Sequence, residues 1–275
     1  MALTLVSWNL KGSKGVDTGA VVDHIQAAGA DVVVLQEVQR RQARAIARAL
    51  RAASNRWAFK HWPIRTWPEG MAVIGVTRPA PAHARAITQR WVPWSSRRRI
   101  LQVATVRLDT EADSAVVDVA DAAASATSAG PAAGTVITLI NVHLSSGDAA
   151  AIRAVEAGAV VRLVAERDRP AVVAGDFNDQ PGANAHARFR EAGLRDVWAT
   201  LRGDDAGPTN WRGWVAATPG PPSQRLDYVL VSKGLEPLAV SVPRHGDPDF
   251  APFAAISDHL PLTATVAAEA TRTGS

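Results

Sequence analysis

Apolar residues in this chain arrive in short unbroken runs, and each run stops at a polar side chain. Leu3 to Trp8 ends at Asn9, Asp31 to Gln36 leads to Glu37, Thr135 to Val142 ends at His143, and Ala171 to Ala174 ends at Gly175 and Asp176. Short runs of this kind, rich in β-branched residues, read as strands buried on both faces. Between them the period changes. Val21, Val22, Ile25 and Ala28 mark a helix capped by Asp17 or Thr18 and stopped by Gly29. Ala43, Ile46, Ala47 and Leu50 mark a second helix over 39–53, and Ile152, Val155, Ala159, Val160 and Leu163 a third over 149–167, with Asp148 as its N-cap. Residues 183–192 read as a short helix. Further strands are expected at 70–75 behind Glu69, at 100–108, at 224–232 with Asp227 near its start, at 238–242 as the partner of 224–232, and at 262–268. Strand, helix and strand in alternation is the pattern of a layered α/β protein.

Composition narrows the reading. At 275 residues and 47% hydrophobic content the chain can bury a sizeable core. One domain is expected over 1–268, with a low-complexity loop at about 110–134 and a disordered tail over 269–275. There are no cysteines, which excludes a disulfide framework, a thiol nucleophile and a zinc–thiolate site. The formal net charge is +4, a mild preference for an anionic partner. No apolar run reaches membrane-spanning length and no signal peptide is legible, so a cytoplasmic monomer is expected. Arg41, Arg44, Arg48 and Arg51 form a basic stripe on the second helix, more simply read as a solvated face than as a nucleic-acid surface. The nine tryptophans, of which Trp57, Trp62, Trp67, Trp91 and Trp94 lie close together, suit either core filling or stacking on bases.

The candidate chemistry lies at the strand ends: Asn9, Glu37, Glu69, His143, Asp176, Asn178, Asp227, Asp258 and His259. Hard oxygen donors dominate, and no pair of histidines has zinc spacing. The set suits Mg2+ or Mn2+ and metal-assisted attack of water on a phosphate ester. Asp176 and Asn178 would face the same way if the strand stayed extended, a carboxylate for water and an amide for an anionic oxygen. The competing reading is a polar loop that satisfies its own backbone.

Seven short motifs then fall in a fixed order: Ser7-Trp8-Asn9, Leu35-Gln36-Glu37, Glu69-Gly70-Met71, Asn141-Val142-His143-Leu144, Gly175-Asp176-Phe177-Asn178, Arg225-Leu226-Asp227-Tyr228 and Ser257-Asp258-His259-Leu260-Pro261. This ordered set resembles the endonuclease/exonuclease/phosphatase superfamily. The resemblance implies a four-layer α/β sandwich of the deoxyribonuclease-I-like kind, with two mixed β-sheets face to face, helices outside and the site at one edge. It implies Glu37 as the main metal ligand, with Asn9 and Asp258 in the metal shell. Asp176 would activate water, Asn178 would bind the phosphate, and His259, its tautomer fixed by Asp227, would contact the scissile phosphate. His143 would be a second phosphate contact or the acid for the leaving oxygen, oriented by Glu69. The exonuclease-III-type branch carries Tyr where this chain has His143, which weighs against abasic-site repair. The expected substrate is a phosphodiester, with DNA or RNA favoured. The alternatives are a phosphatase or sphingomyelinase-like hydrolase of a smaller substrate, and an inactive scaffold.

Overall fold

The computed structural model describes residues 2–59, 61–62, 69–86, 98–108, 134–211, 220–247 and 250–269. The low-complexity stretch expected at 110–134, Trp67, Trp91, Trp94, Trp214 and Arg97, and the side chains of Trp62 and Arg98, lie outside the described residues, residue 134 excepted.

In chain order the elements are β1 (Ala2–Asn9), a 3-10 turn (Gly12–Lys14), α1 (Thr18–Ala27), β2 (Val32–Gln39), α2 (Arg40–Ala49), β3 (Ser54–Phe59), β4 (His61–Trp62), β5 (Glu69–Gly75), β6 (Ala82–Ala86), β7 (Arg98–Leu108), β8 (Thr135–His143), α3 (Ala150–Ala165), β9 (Ala171–Asp176), α4 (Asn184–Glu191), β10 (Arg195–Asp196), α5 (Val197–Arg202), β11 (Asp227–Val231), β12 (Leu235–Ser241), α6 (Ala251–Ile256) and β13 (Leu262–Ala268). They build two mixed sheets. One runs β12-β13-β1-β2-β5-β3, and the other β10-β11-β9-β8-β7-β4 with β6 also on β7. Each sheet holds one parallel pair, β1 with β2 and β8 with β9, and each pair is joined by a helix crossover. The other ladders are antiparallel.

Strand alternation divides the core. On β8, Ile137 and Leu139 belong to the large core cluster, while Ile140 and Val142 pack with Ala157, Val160, Leu163 and Phe189 of α3 and α4. Val172 and Ala174 of β9 follow the first group, and Val173 and Phe177 the second. Asn141, His143 and Asp176 therefore continue the series that faces the opposite sheet. Three buried carboxamides tie the sheets together. Gln36 Nε2 donates to Asn141 Oδ1 at 2.8 Å, and Asn141 Nδ2 donates to Gln102 Oε1 at 3.0 Å and to the carbonyls of Leu35 and Ala72 at 3.2 Å. Directional bonds in an otherwise apolar interior fix one register between the sheets, which apolar packing alone does not.

Several expectations are revised. Arg41, Arg44 and Arg48 of the basic stripe lie on α2, which is shorter than 39–53, and Arg51 lies beyond its end with a left-handed backbone. Asp148 is exposed and does not cap α3: Ala149 occupies the N-cap without a side-chain bond. The loop before α3 is held from the helix body, where Glu156 accepts from Ser145 N and Oγ at 2.8 Å and Arg153 donates to the carbonyls of Ser145 and Gly147. The strand expected at 238–242 spans Leu235–Ser241, and it pairs with β13 in the other sheet, not with β11. Trp198 lies on α5. Glu269, expected in the disordered tail, accepts from Arg195 at 2.7 Å. The tryptophans that are described serve the fold. Trp8, Trp198 and Trp211 are buried, Trp57 is half-buried, and each donates its indole N–H to a backbone carbonyl.

One buried ionic junction sets acid stability. Asp196 caps α5 through Trp198 N and Ala199 N, and its Oδ2 accepts from His186 Nε2 at 3.0 Å and Arg225 Nη1 at 2.9 Å. His186 Nδ1 accepts from Gly182 N, so the Nε2 proton is the one donated. Burial alone would raise the Asp196 pKa, but these donors and the Arg225 charge hold it below the ordinary value. A depressed carboxylate adds stability above its unfolded pKa of about 3.9, and that stability is lost as pH falls through the lower folded value. Asp196→Ala is expected to cost about 3–5 kcal/mol at pH 7, because it leaves Arg225 buried and uncompensated. Urea unfolding at pH 7 and pH 3 checks both statements: the gap between wild type and variant should narrow at the lower pH.

Candidate active site

Parallel strands end, and antiparallel neighbours begin, at the same edge of a sheet. That geometry alone gathers the polar termini. Across the second sheet, His143 pairs in register with Asp176, and Asp176 with Asp227. Across the first, Asn9 closes β1, Glu37 lies near the end of β2, and Glu69 opens β5 opposite Gln39. His259 follows α6 and precedes β13, which runs antiparallel to β1.

Two backbone features aim these side chains. Gly175 (φ 142°) brings β9 so close to β8 that a Cβ there would meet the Val142 carbonyl oxygen at 2.0 Å. On β2 the pairing with β5 shifts between Gln36 and Val38, and Glu37 takes φ 50°. Without this bulge Glu37 would alternate away from Gln36, toward the helices. The extra residue turns it into the mouth between the sheets, with Oε1 3.6 Å from His143 Nε2. Lys11 and Asn178 also have positive φ. Three of the four left-handed non-glycine residues among those described therefore border one site, where backbone strain tends to concentrate.

Asp176 is the centre. It is buried, and its Oδ2 accepts from Asn9 Nδ2 at 2.9 Å and lies 3.5 Å from His143 Nε2 and 3.8 Å from His259 Nε2. Its Oδ1 accepts from Asn178 N at 2.8 Å. His259 Nδ1 meets Asp227 Oδ2 at 2.8 Å. Burial pulls the His259 pKa down, but the carboxylates of Asp227 and Asp176 outweigh it and hold the pKa up at about 10. Burial dominates at Asp176 and raises it to about 6 against the opposing charge of His259. Neighbouring chain locks the dyad. Thr209 Oγ1 accepts from Asp227 N at 3.1 Å, Trp8 Nε1 donates to the His259 carbonyl at 2.9 Å, and Ser257 Oγ donates to the Asn9 carbonyl at 2.7 Å. Thr209 lay in sequence without any period, so nothing in its neighbourhood marked it. Trp8 and Ser257 sat inside the motifs, but only the contacts show what they hold.

The remaining expected residues have specific surroundings. Asp258 forms an ion pair with Lys11, a residue the sequence reading passed over as loop. Glu69 Oε1 accepts from Ser13 N at 2.8 Å and anchors the Gly12–Lys14 turn. Asn178 does not face the same way as Asp176, because its left-handed backbone ends the extended geometry, and its Nδ2 donates to the Leu144 carbonyl at 3.0 Å.

Asp176, Asp227 and His259 each offer a ligand atom within 4.8 Å of one another. A cation would use that group with His259 deprotonated, against the neighbouring carboxylates, which favour the protonated ring. The wider donor set fits a hard divalent ion better. Glu37 stands at the mouth with 20% of its side chain exposed, and Asp227 Oδ1 is buried with no hydrogen-bond partner among the described residues. A cluster of oxygen donors with excess negative charge and no thiolate is the chemistry that Mg2+ or Mn2+ satisfies.

Two sheets face to face, with carboxylates, imidazoles and carboxamides meeting at one edge, define a class of α/β-sandwich protein. The endonuclease/exonuclease/phosphatase family model matches residues 6–259, and the chain belongs to that family, which comprises in general metal-dependent phosphoesterases. Among solved structures, a functionally unknown conserved protein from Enterococcus faecalis V583 is 18% identical with a TM-score of 0.71, over 97% of this chain and 100% of that one. The endonuclease/exonuclease/phosphatase from Bacteroides vulgatus is 17% identical with a TM-score of 0.73, over 98% and 100% of the two chains. The D. rerio TDP2 complexed with single strand DNA product is 16% identical with a TM-score of 0.68, over 97% and 99%. These likenesses establish the fold. No curated protein matches the chain.

Proposed function

We propose that this chain is a divalent-metal-dependent phosphodiesterase, with a nucleic-acid strand as its substrate. The observation that carries the reading is the convergence of His143 Nε2 and His259 Nε2 on one buried oxygen of Asp176, with the Asp227 carboxylate behind His259. An anionic phosphoryl group suits the space between such donors. Glu37 and Asn9 would hold the metal, with Asp258 reaching it on release from Lys11. The bound ion supplies Lewis-acid polarisation of a phosphoryl oxygen.

The chain's own residues divide the rest. His259, whose protonated form the Asp227 and Asp176 carboxylates favour, suits the donor's role and offers Nε2–H to a phosphoryl oxygen as negative charge grows there. Asp176, with its pKa near 6, is suited to take the proton of the attacking water near neutral pH. Asn9 fixes the orientation of that carboxylate. His143 stands beside the same oxygen, where it can protonate the leaving oxygen as the P–O bond breaks. Asn178 has committed one amide hydrogen to Leu144 and keeps the other for the phosphate.

The substrate is tested by offering single-stranded DNA, plasmid DNA, RNA, sphingomyelin and inositol phosphates side by side in Mg2+. Cleavage of a nucleic acid with a KM that rises steeply with salt is the expected result. Preference for a small phosphate with a salt-insensitive KM would overturn the nuclease reading, and cleavage of nothing would overturn the enzyme. What supports a nucleic acid is that TDP2 from D. rerio, similar in fold, is described with a single strand DNA product.

A further inference from the structure

The charges of this chain are segregated along the sequence. Residues 38–108 contain 15 Lys and Arg and one acid, Glu69, a formal charge of +14 against −10 for the rest. The described part of this segment supplies α2, β3, β5, β6 and β7. These strands form the same flank of both sheets: β5-β3 closes the first, β7 with β4 and β6 closes the second, and Gln102 of β7 donates to the Arg56 carbonyl of β3 at 3.0 Å across the gap. The small net charge thus conceals a strongly basic segment of the sequence.

Several arginines are ion-paired, including Arg78 and Arg85 of this segment, which face Asp31 and Glu166. Arg153, Arg195, Arg225 and Arg244 each face a carboxylate within 4.0 Å. Arg44, Arg48, Arg51 and Arg56 are exposed and have no ion pair among the described residues, and Arg41 is exposed and donates to Gln39 Oε1. Arg41, Arg44 and Arg48 succeed one another at about one helical turn on the ten-residue α2, about 15 Å long, and Arg51 follows its C-cap Leu50 with φ 51°. The stripe starts at the site. Gln39 and Gln42, at the head of α2, both donate to the Gly12 carbonyl, at 3.1 and 3.0 Å. Gly12 follows Lys11, which holds Asp258, and Gln39 lies two residues beyond Glu37.

We infer that the arginine face of α2 is a track for the phosphodiester backbone of a nucleic-acid strand, which runs on from the catalytic mouth. The inference rests on the phosphodiesterase reading for its starting point and adds to it the path of the substrate outside the reacting bond. A line of unneutralised guanidinium groups matches a line of phosphates in sign and in repeat, and Arg holds phosphate through paired N–H donors. A lipid surface is the poorer match. Surfaces that settle on membranes set large apolar side chains beside their cations, and the large apolar residues exposed among those described are Val155, Leu201 and Leu238, on α3, α5 and β12 and not on this flank.

The test replaces Arg41, Arg44, Arg48 and Arg51 together by Gln. Binding of a fluorescein-labelled phosphorothioate DNA 20-mer, slow to be cleaved, is titrated in Mg2+ at 50 and 200 mM salt. Four phosphate contacts to a single strand contribute a salt slope of about 3, or roughly 50-fold in affinity over that range. The variant should lose that portion, while its hydrolysis of bis-p-nitrophenyl phosphate stays within about twofold of wild type, because no arginine of the stripe belongs to the catalytic group. Equal oligonucleotide binding and equal salt slope in variant and wild type would overturn the track. So would wild-type binding to phosphatidylserine vesicles that the variant loses while oligonucleotide binding is unchanged. Failure of the wild type to hydrolyse bis-p-nitrophenyl phosphate would strike the phosphodiesterase reading alone, since oligonucleotide binding is read independently of cleavage.

Discussion

The double variant Asp227→Ala/His259→Ala is expected to hydrolyse bis-p-nitrophenyl phosphate no more slowly than His259→Ala alone. Removal of a positioned imidazolium should lower kcat on the order of 10²–10⁴-fold. Asp227 engages the ring through His259 Nδ1 at 2.8 Å, so its removal should add little once the ring is gone. Asp227→Asn should fall between wild type and His259→Ala, because the amide keeps the volume and loses the charge. An independent readout separates this dyad from a structural role. In the metal-free protein the His259 ring should titrate near pH 10, followed by NMR, and Asp227→Asn should lower that value. A raised histidine pKa adds stability that is complete below the ordinary value of about 6.5 and is lost as pH rises through 10. Wild type should therefore lose part of its advantage over His259→Ala in alkaline urea titrations. Losses that multiply in the double variant would mean two independent roles and would sink the dyad.

Chelation should abolish hydrolysis, and Glu37→Gln should lower it on the order of 10²–10⁴-fold at fixed Mg2+, as expected when several kcal/mol of charge stabilisation are lost. Asp258→Asn should cost less, because Lys11 already engages that carboxylate. The left-handed backbone of Glu37 supplies a further control. Glycine adopts φ 50° without strain, so Glu37→Gly should be at least as stable as wild type and as inactive as Glu37→Gln. A variant that is stable and inactive would separate the carboxylate's chemistry from its place in the fold. Full turnover in EDTA, with Glu37→Gln equally active, would remove the metal from the mechanism.

Much of this was legible because buried strands announce themselves. Runs such as Val172-Val173-Ala174 have no alternative to the interior, and polar residues directly after them must reach an edge. The alternating layered pattern and the list of strand-end residues followed from that alone. Partners across the fold did not. Leu235–Ser241 joins β13 and not β11, because the polypeptide crosses between sheets after β11, a choice made by packing and not by local pattern. The turn of Glu37 into the mouth depends on one bulged residue, which leaves no mark on hydrophobic periodicity. Asn178 was read as extended because Gly175 and Asp176 continue the strand, yet an Asx-type bond from its own N–H to Asp176 bends the chain there. Lys11 was passed over for a simpler reason: a lysine in a Gly-Ser loop is ordinarily solvated, and only the fold brings Asp258 to it.

The pairing of β1 with β13, from Ala2 opposite Ala267 to Ser7 opposite Leu262, has a consequence for timing. Asn9 and Glu37 leave the ribosome early, and His259 follows some 220 residues after Glu37. At about 5–20 residues per second, the sheet that carries the first two stays without its neighbouring strand for roughly ten seconds or more. During that interval no surface of the nascent chain presents both halves of the reactive edge. The candidate site is therefore complete only once translation has passed the codon for His259.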